Sequence, residues 1–349
     1  MKTLQLIIAI LLFPLSIWYP IGVAVRNLFY NLNLCKSAST DITTIGVGNL
    51  RMGGTGKTPH TEYLVRLFND IPTALLSRGY GRKTKGFQST SGNSIFNIQY
   101  SQLLGDEPAM MARKFPSLTV AVCKDRLEGV AHLAKMEKRP RLILLDDVFQ
   151  HRRIKPSVLI LLTEYGDPFF NDHILPFGNL REFRSGRNRA DIVVVTKCPT
   201  ALSESKRDEY RQRLKLRPSQ KLFFSYINYS LPQPLYHDTP WQHVKEVLLL
   251  TGIAHPAPLK HYLETRYTVT HLHYPDHHNF SAADCHHIAA TFHSLKEPSK
   301  AVVTTEKDAL RMLQPEVREQ LSELPVFYIP IQVAFLGDDT FDQTIKKFV

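Results

Sequence analysis

Gly53-Gly54-Thr55-Gly56-Lys57-Thr58 is the stretch on which the fold turns. It stands between a short apolar run, residues 43–47, and a helical pattern over residues 57–69. Glycines let a loop wrap a polyphosphate with its backbone N–H groups. The helix that follows turns its positive dipole end toward the same anion. In such a loop Lys57 reaches the β- and γ-phosphates, and Thr58 offers its hydroxyl to magnesium. The strict spacing GxxxxGK[ST] asks for glycine where Arg51 stands, so this is a variant phosphate loop, kept pliable by Gly48 and the doubled Gly53-Gly54. The competing reading is an accidental glycine-rich turn, and the flanking strand and helix argue against it. Gly53, Gly54, Thr55, Gly56, Lys57 and Thr58 are therefore the expected ATP contacts.

Leu142-Ile143-Leu144-Leu145-Asp146-Asp147 has the form of a buried strand ending in acid. After a phosphate loop, such a carboxylate holds magnesium directly or through water. Asp146 and Asp147 are the candidates, and Asp146 joins Thr58 as an expected magnesium ligand. The chain continues Val148-Phe149-Gln150-His151-Arg152-Arg153, a crowd of polar and cationic groups just past a strand end. It reads as a phosphate or substrate contact rather than an ordinary surface loop.

Gly105-Asp106-Glu107-Pro108 opens a helix. Asp106 suits a helix N-cap, with Pro108 in the first turn. The alternative is a carboxylate near the transferred phosphate, since transfer to a hydroxyl needs a proton acceptor. Ser77-Arg78-Gly79-Tyr80-Gly81-Arg82 follows another strand and presents Arg78 and Arg82, and arginine suits bidentate phosphate binding. Asp125-Arg126 follows a strand end, and Leu180-Arg181-Glu182 lies ahead of a strand over 192–196. Farther on, Pro275-Asp276-His277-His278 follows a strand, where a carboxylate beside His277 would orient a base. A lone histidine is more often structural.

Short apolar runs alternate with helical stretches from residue 41 on. That pattern means a parallel sheet with helices on both faces and ligands at the strand C-terminal ends. Strands are expected at 43–47, 73–77, 118–122, 142–145, 158–162 and 192–196, with helices at 107–114 and 127–138. Residues 214–220 and 226–240 read as a connection. A second alternating set has strands at 247–251, 268–273, 301–305 and 325–329, and helices at 258–264, 281–295 and 306–313.

The 349 residues leave room for two domains. A net charge of +11 favours an acidic partner: nucleic acid, anionic membrane or phosphorylated substrate. No nucleic-acid motif accompanies it, and no obligate protein partner is legible. The four cysteines are widely spaced, as in a reducing compartment. A histidine cluster over 271–287 leaves a metal site open but lacks a recognised ligand spacing. Between Lys2 and Arg26 no charged residue occurs. That run fits a signal peptide, a spanning helix or a monotopic or interfacial segment. Pro14, Pro20, Trp18 and Tyr19 favour the last.

Taken together, GVGNL, GGTGKTP, LSRGYGR, GDEP, DDVFQHRR, LPFG, LRE, RADIVVVTK, TGIAHP, YPDHH and TTEKDA occur in one order that resembles the tetraacyldisaccharide 4'-kinase family, from the N-terminus to about Asp308. The family pattern has glycine where Val148 stands and Thr-Val where Arg51-Met52 stand. The resemblance implies a kinase that uses ATP and Mg2+ to phosphorylate the 4'-hydroxyl of a lipid-linked disaccharide 1-phosphate, forming lipid IVA in lipid A synthesis. It implies an α/β fold: a P-loop NTPase-type parallel-sheet domain (31–222) and a smaller α/β domain (223–349) joined by a β linker, with a cleft between them. C-terminal helices would pack back on the first domain. A membrane-associating segment (1–30) would hold the chain on the cytoplasmic face of the inner membrane. By motif, Asp106 is the catalytic base and His277 its partner, with Lys57, Asp146 and Asp147 completing the catalytic set. Arg78, Gln150, His151, Arg126, Arg181 and Glu182 would bind substrate. A partner-positioning ATPase is the rival from another class, but its signature lysine would stand where Met52 does.

Overall fold

The computed structural model describes residues 2–90, 99–276, 278–337 and 340–349. It divides into two compact units, Met1–Ile227 with Val333–Val349, and Asn228–Gln332. In chain order the first unit holds α1 (Lys2–Asn31), β1 (Thr43–Asn49), α2 (Lys57–Leu67), β2 (Thr73–Ser77), β3 (Gln88–Ser89), α3 (Gln99–Leu104), α4 (Asp106–Lys114), β4 (Thr119–Val122), α5 (Arg126–Ala134), β5 (Leu142–Leu145), β6 (Val158–Glu164), β7 (Ile192–Thr196) and α6 (Glu204–Leu214). β8 (Lys221–Tyr229) leads into the second unit, which contains β9 (Gln233–Pro234), β10 (Glu246–Thr251), α7 (Ala257–Glu264), β11 (Thr268–His273), α8 (Ala282–Ser294), β12 (Lys300–Thr305), α9 (Glu306–Met312), α10 (Pro315–Leu321) and β13 (Val326–Ile329). β14 (Ile331–Phe335) then returns to the first unit, which closes with α11 (Thr340–Lys346).

The first sheet has the order β14-β8-β7-β6-β1-β5-β2-β4-β3. β1 sits at its middle, parallel to both β5 and β6. Apolar runs of Val, Ile and Leu explain why: strands covered on both faces need no polar alternation, and β5 and β7 are buried along their whole length. The second unit has its own sheet, β11-β10-β12-β13-β9, with β9 antiparallel at the edge.

Three features depart from the expected elements. α6 was not anticipated: a helix with only Tyr210 and Leu214 buried carries almost no apolar periodicity. β8 is a nine-residue strand where a connection was expected past residue 226. α1 runs as one helix through Pro14 and Pro20. A proline removes one backbone hydrogen bond and bends a helix without obliging it to reverse. Among the described residues no helix is long and apolar enough to cross a membrane.

Candidate active site

β1 and β5 are paired with Gly46 opposite Leu145. The phosphate loop after β1 and the acidic pair after β5 therefore leave the sheet side by side. The two glycines of β1 make room for the segment that follows the acids. A Cβ on Gly46 would lie 2.7 Å from Val148 Cγ1, and one on Gly48 would lie 2.6 Å from Phe149 Cβ. Val148, the departure from the family pattern, is buried over Gly46. Gly53 and Gly56 take φ of 102° and 88°, the left-handed region that favours glycine.

Lys57 opens α2 and its Nζ donates to Asn49 Oδ1 (3.4 Å) and lies 3.7 Å from Asp147 Oδ1. Arg181 grips Asp147 with both terminal nitrogens, 3.0 Å to Oδ2 and 2.8 Å to Oδ1. Burial would raise the Asp147 carboxyl, but the Arg181 hydrogen bonds and the charges of Lys57, Arg181 and Arg126 outweigh it and bring it down to about 2. Asp147 holds φ at 45°, a conformation Asp tolerates better than most residues.

Sequence reading missed Asn49. It is fully buried, accepts from Lys57 and Arg181, and donates to Thr55 Oγ1 (2.8 Å). A polar side chain closing a buried strand just before a phosphate loop was the available signal. Thr196, at the end of β7, donates to the Thr55 carbonyl (2.9 Å) and so pins the loop from the other side. Arg51, the other departure, pairs with Asp167 and Asp172 and fastens the loop to the segment that carries Arg181.

Asp146 is 9% exposed, and its Oδ1 has no hydrogen-bond partner. Burial first, then Glu107 and Asp147, push its carboxyl up from 3.8 to about 6. A carboxyl with a raised folded pKa is most favourable to the fold at acid pH, and that contribution is lost as pH climbs through about 6. At neutral pH the ionised group opposes folding by about 3 kcal/mol. Asp146→Asn is therefore expected to raise the melting temperature of the metal-free protein at pH 7.5, with the gain vanishing toward pH 4, while activity is lost. A lower melting temperature at pH 7.5 would show that the carboxylate is not strained.

Arg126 is 2% exposed; its guanidinium donates to the carbonyls of Asp146 (3.0 Å), Cys123 and Lys124 (both 3.3 Å). Its backbone N–H donates to His151 Nε2 (3.2 Å), and burial followed by the Arg126 charge lowers the His151 pKa. Glu182 is also 2% exposed and accepts from Arg189 (2.8 Å to each oxygen), Gln150 (3.0 Å) and Asn27 of α1 (3.3 Å). Sequence reading set Arg126 and Glu182 against substrate. The structure places both inside, where they hold the loops that carry their neighbours.

Arg78 and Asp106 are exposed on touching turns. A Cβ on Gly105 would lie 2.5 Å from the Tyr80 carbonyl oxygen, so the SRGYGR turn packs on the start of α4. The N-cap of α4 is Gly105, without a side-chain cap, and Asp106 is the first helical residue. Its side chain is thus not spent on capping. In the second unit, buried Asp308 accepts from the Gly252 N–H (3.0 Å), and a Cβ on Gly252 would lie 3.3 Å from the Pro275 carbonyl. The TGIAHP, YPDHH and TTEKDA motifs meet there. His278 Nε2 lies 3.0 Å from Asp284. His277 lies outside the described residues. Among the described residues no group of three or more His, Cys, Asp or Glu side chains could hold a metal.

The comparisons with known proteins agree along the chain. A family model described as LpxK, tetraacyldisaccharide-1-P 4'-kinase, matches residues 8–349. A protein of Flavobacterium johnsoniae named tetraacyldisaccharide 4'-kinase is 42% identical over 97% of this chain and 96% of its own. One of Phocaeicola vulgatus with the same name is 38% identical over 97% and 94%. Among solved structures, an "apo" form LpxK from Aquifex aeolicus in complex with ATP superposes with a TM-score of 0.72, at 26% identity, covering 97% of this chain and 98% of that one.

Proposed function

We propose, from the premise that the chain belongs to the tetraacyldisaccharide-1-phosphate 4'-kinase family, a division of labour among its residues. The chain is an ATP-dependent kinase that transfers the γ-phosphate to the 4'-hydroxyl of tetraacyldisaccharide 1-phosphate in lipid A biosynthesis. The observation that supports placing the reaction at the centre of the first sheet is the adjacency of the Lys57 loop and the Asp146-Asp147 pair.

In this reading the backbone of 53–57 cradles the phosphates, and Lys57 meets the charge that spreads over the transferring oxygens. Asp147, pinned by Arg181, keeps Lys57 in place. Asp146, with an unpartnered buried oxygen and two like charges beside it, suits a cation, and Thr58 would share it. Mg2+ bound there would neutralise phosphate charge. Asp106 accepts the proton of the sugar hydroxyl, and His277 assists it. Arg78, Gln150 and His151 contact the sugar or its phosphates.

The substrate is a lipid, and α1 accounts for meeting it. Trp18, Ile21, Val25, Leu28 and Leu32 form an exposed apolar stripe at alternating three- and four-residue spacing. Tyr19 donates to the Arg181 carbonyl (2.9 Å), Asn27 to Glu182, and Arg152 to Asn31 (2.9 Å), so the helix is fastened to the site's own loops. The stripe would lie in the cytoplasmic leaflet of the inner membrane. A chain lacking residues 1–25 keeps Asn27 and Asn31 and is expected to lose membrane partitioning while retaining ATP binding. If it still sediments fully with membranes after a salt wash, the anchor lies elsewhere.

The direct test uses purified protein and ATP with three acceptors: the disaccharide lipid, a protein and water. Phosphate should appear on the lipid alone. ATP consumed with water as sole acceptor would favour a switch ATPase.

A further inference from the structure

Beside the segment that follows Glu182 lies a cavity of about 290 Å³, walled by Phe169 and Phe170 and rimmed by Arg184, Arg187, Arg213 and Lys215. Two of its cations, Arg184 and Arg187, are held by neutral carbonyls alone. Arg184 donates twice to the Asp172 carbonyl (3.0 and 2.8 Å). Arg187 donates to the carbonyls of Lys215 (3.4 and 3.3 Å) and Arg184 (3.1 Å). Arg213 lies over the Phe170 ring at 4.3 Å and pairs with Glu209 at 3.4 Å. Among the described residues, Arg184, Arg187 and Lys215 meet no carboxylate, whereas Arg207, Arg211 and Arg213 of α6 each do. Like charges gathered without a counter-ion repel one another, and an anionic ligand would relieve that repulsion.

Guanidinium and ammonium groups at one mouth suit a phosphate, and the two phenylalanines suit an apolar stem. Arg184 is three residues past Arg181, whose carbonyl accepts from Tyr19 of α1. Three residues span at most about 10 Å, so the mouth lies close to the helix with the exposed apolar stripe. Phe183, between them, is itself exposed. We propose that this cavity binds the phosphate of an anionic membrane-lipid headgroup. The proposal rests on the reading of α1 as a membrane-surface helix.

Flotation of the full chain with vesicles separates the two ideas. Phosphatidylcholine vesicles report α1; the increment on adding phosphatidylglycerol reports the cavity. Arg184→Gln with Lys215→Gln should lower that increment by about 25-fold, about fivefold for each cation, and leave binding to pure phosphatidylcholine unchanged. Lys215→Gln alone, whose ammonium makes no hydrogen bond among the described residues, should lower it about fivefold. Lys135→Gln with Lys138→Gln removes equal charge at exposed sites elsewhere and should change it by less than about twofold. Equal losses in the two double variants would overturn the cavity in favour of diffuse charge. Retention of phosphatidylcholine binding by a chain lacking residues 1–25 would instead fault the α1 reading. If inorganic phosphate binds the wild type and not the variant while the phosphatidylglycerol increment is unchanged, the cavity serves a soluble phosphate and the lipid assignment falls.

Discussion

Lys57→Ala is expected to lower kcat for phosphoryl transfer by about a thousandfold, because positioned donors facing developing charge in a water-poor site are worth that much. In the resting structure the ammonium is already fixed between Asn49 and Asp147, with its side chain 19% exposed. The variant deletes that charge and leaves Asp147 held by Arg181. The fold should therefore survive, and melting temperature should move little. Turnover at saturating ATP, measured with the disaccharide lipid as acceptor, decides the matter. Near wild-type turnover would take the phosphate role away from this loop.

Asp106→Ala and His277→Ala should each lower kcat by about a hundredfold or more, the usual scale of general-base catalysis, while ATP affinity changes little. Asp106 is exposed, and Gly105 occupies the cap position of α4. Removing the carboxylate therefore costs the helix at most a favourable dipole contact of about 0.3–1 kcal/mol. If both residues act on one proton, as proposed, the double variant should be hardly worse than the more damaged single one. Losses that add fully in the logarithm of rate would mean that they act independently. A drop in melting temperature with kcat intact would return Asp106 to a purely structural place at the helix start.

Position in sequence announced some residues and concealed others. Lys57 and the Asp146-Asp147 pair stood out because a phosphate loop and an acid-ended strand are contiguous. The motifs are written in adjacent residues, although their partners are not: Arg181, which grips Asp147, lies 34 residues on. Arg126 stood out just past a strand end and Glu182 in a run ahead of a strand, yet both are buried. Asp146 and Arg189, which engage them, lie 20 and 7 residues off. Asn49 has near partners in Thr55 and Lys57, but its place in the site also rests on Arg181, 132 residues away, which no local spacing shows.

The sequence by itself determined the alternation of strands and helices, the phosphate loop, the acidic strand end and the family. Each of these is written in local spacing, where backbone preference and apolar periodicity act over a few residues. Only the tertiary structure decided which charges face the site and which are consumed inside it, and that α1 docks on Arg181 and Glu182. It also decided that the chain returns through β14 to finish the first sheet. Burial and charge compensation are properties of groups brought together across the chain. The same arginine is a ligand when exposed and a strut when its donors are spent on buried carbonyls.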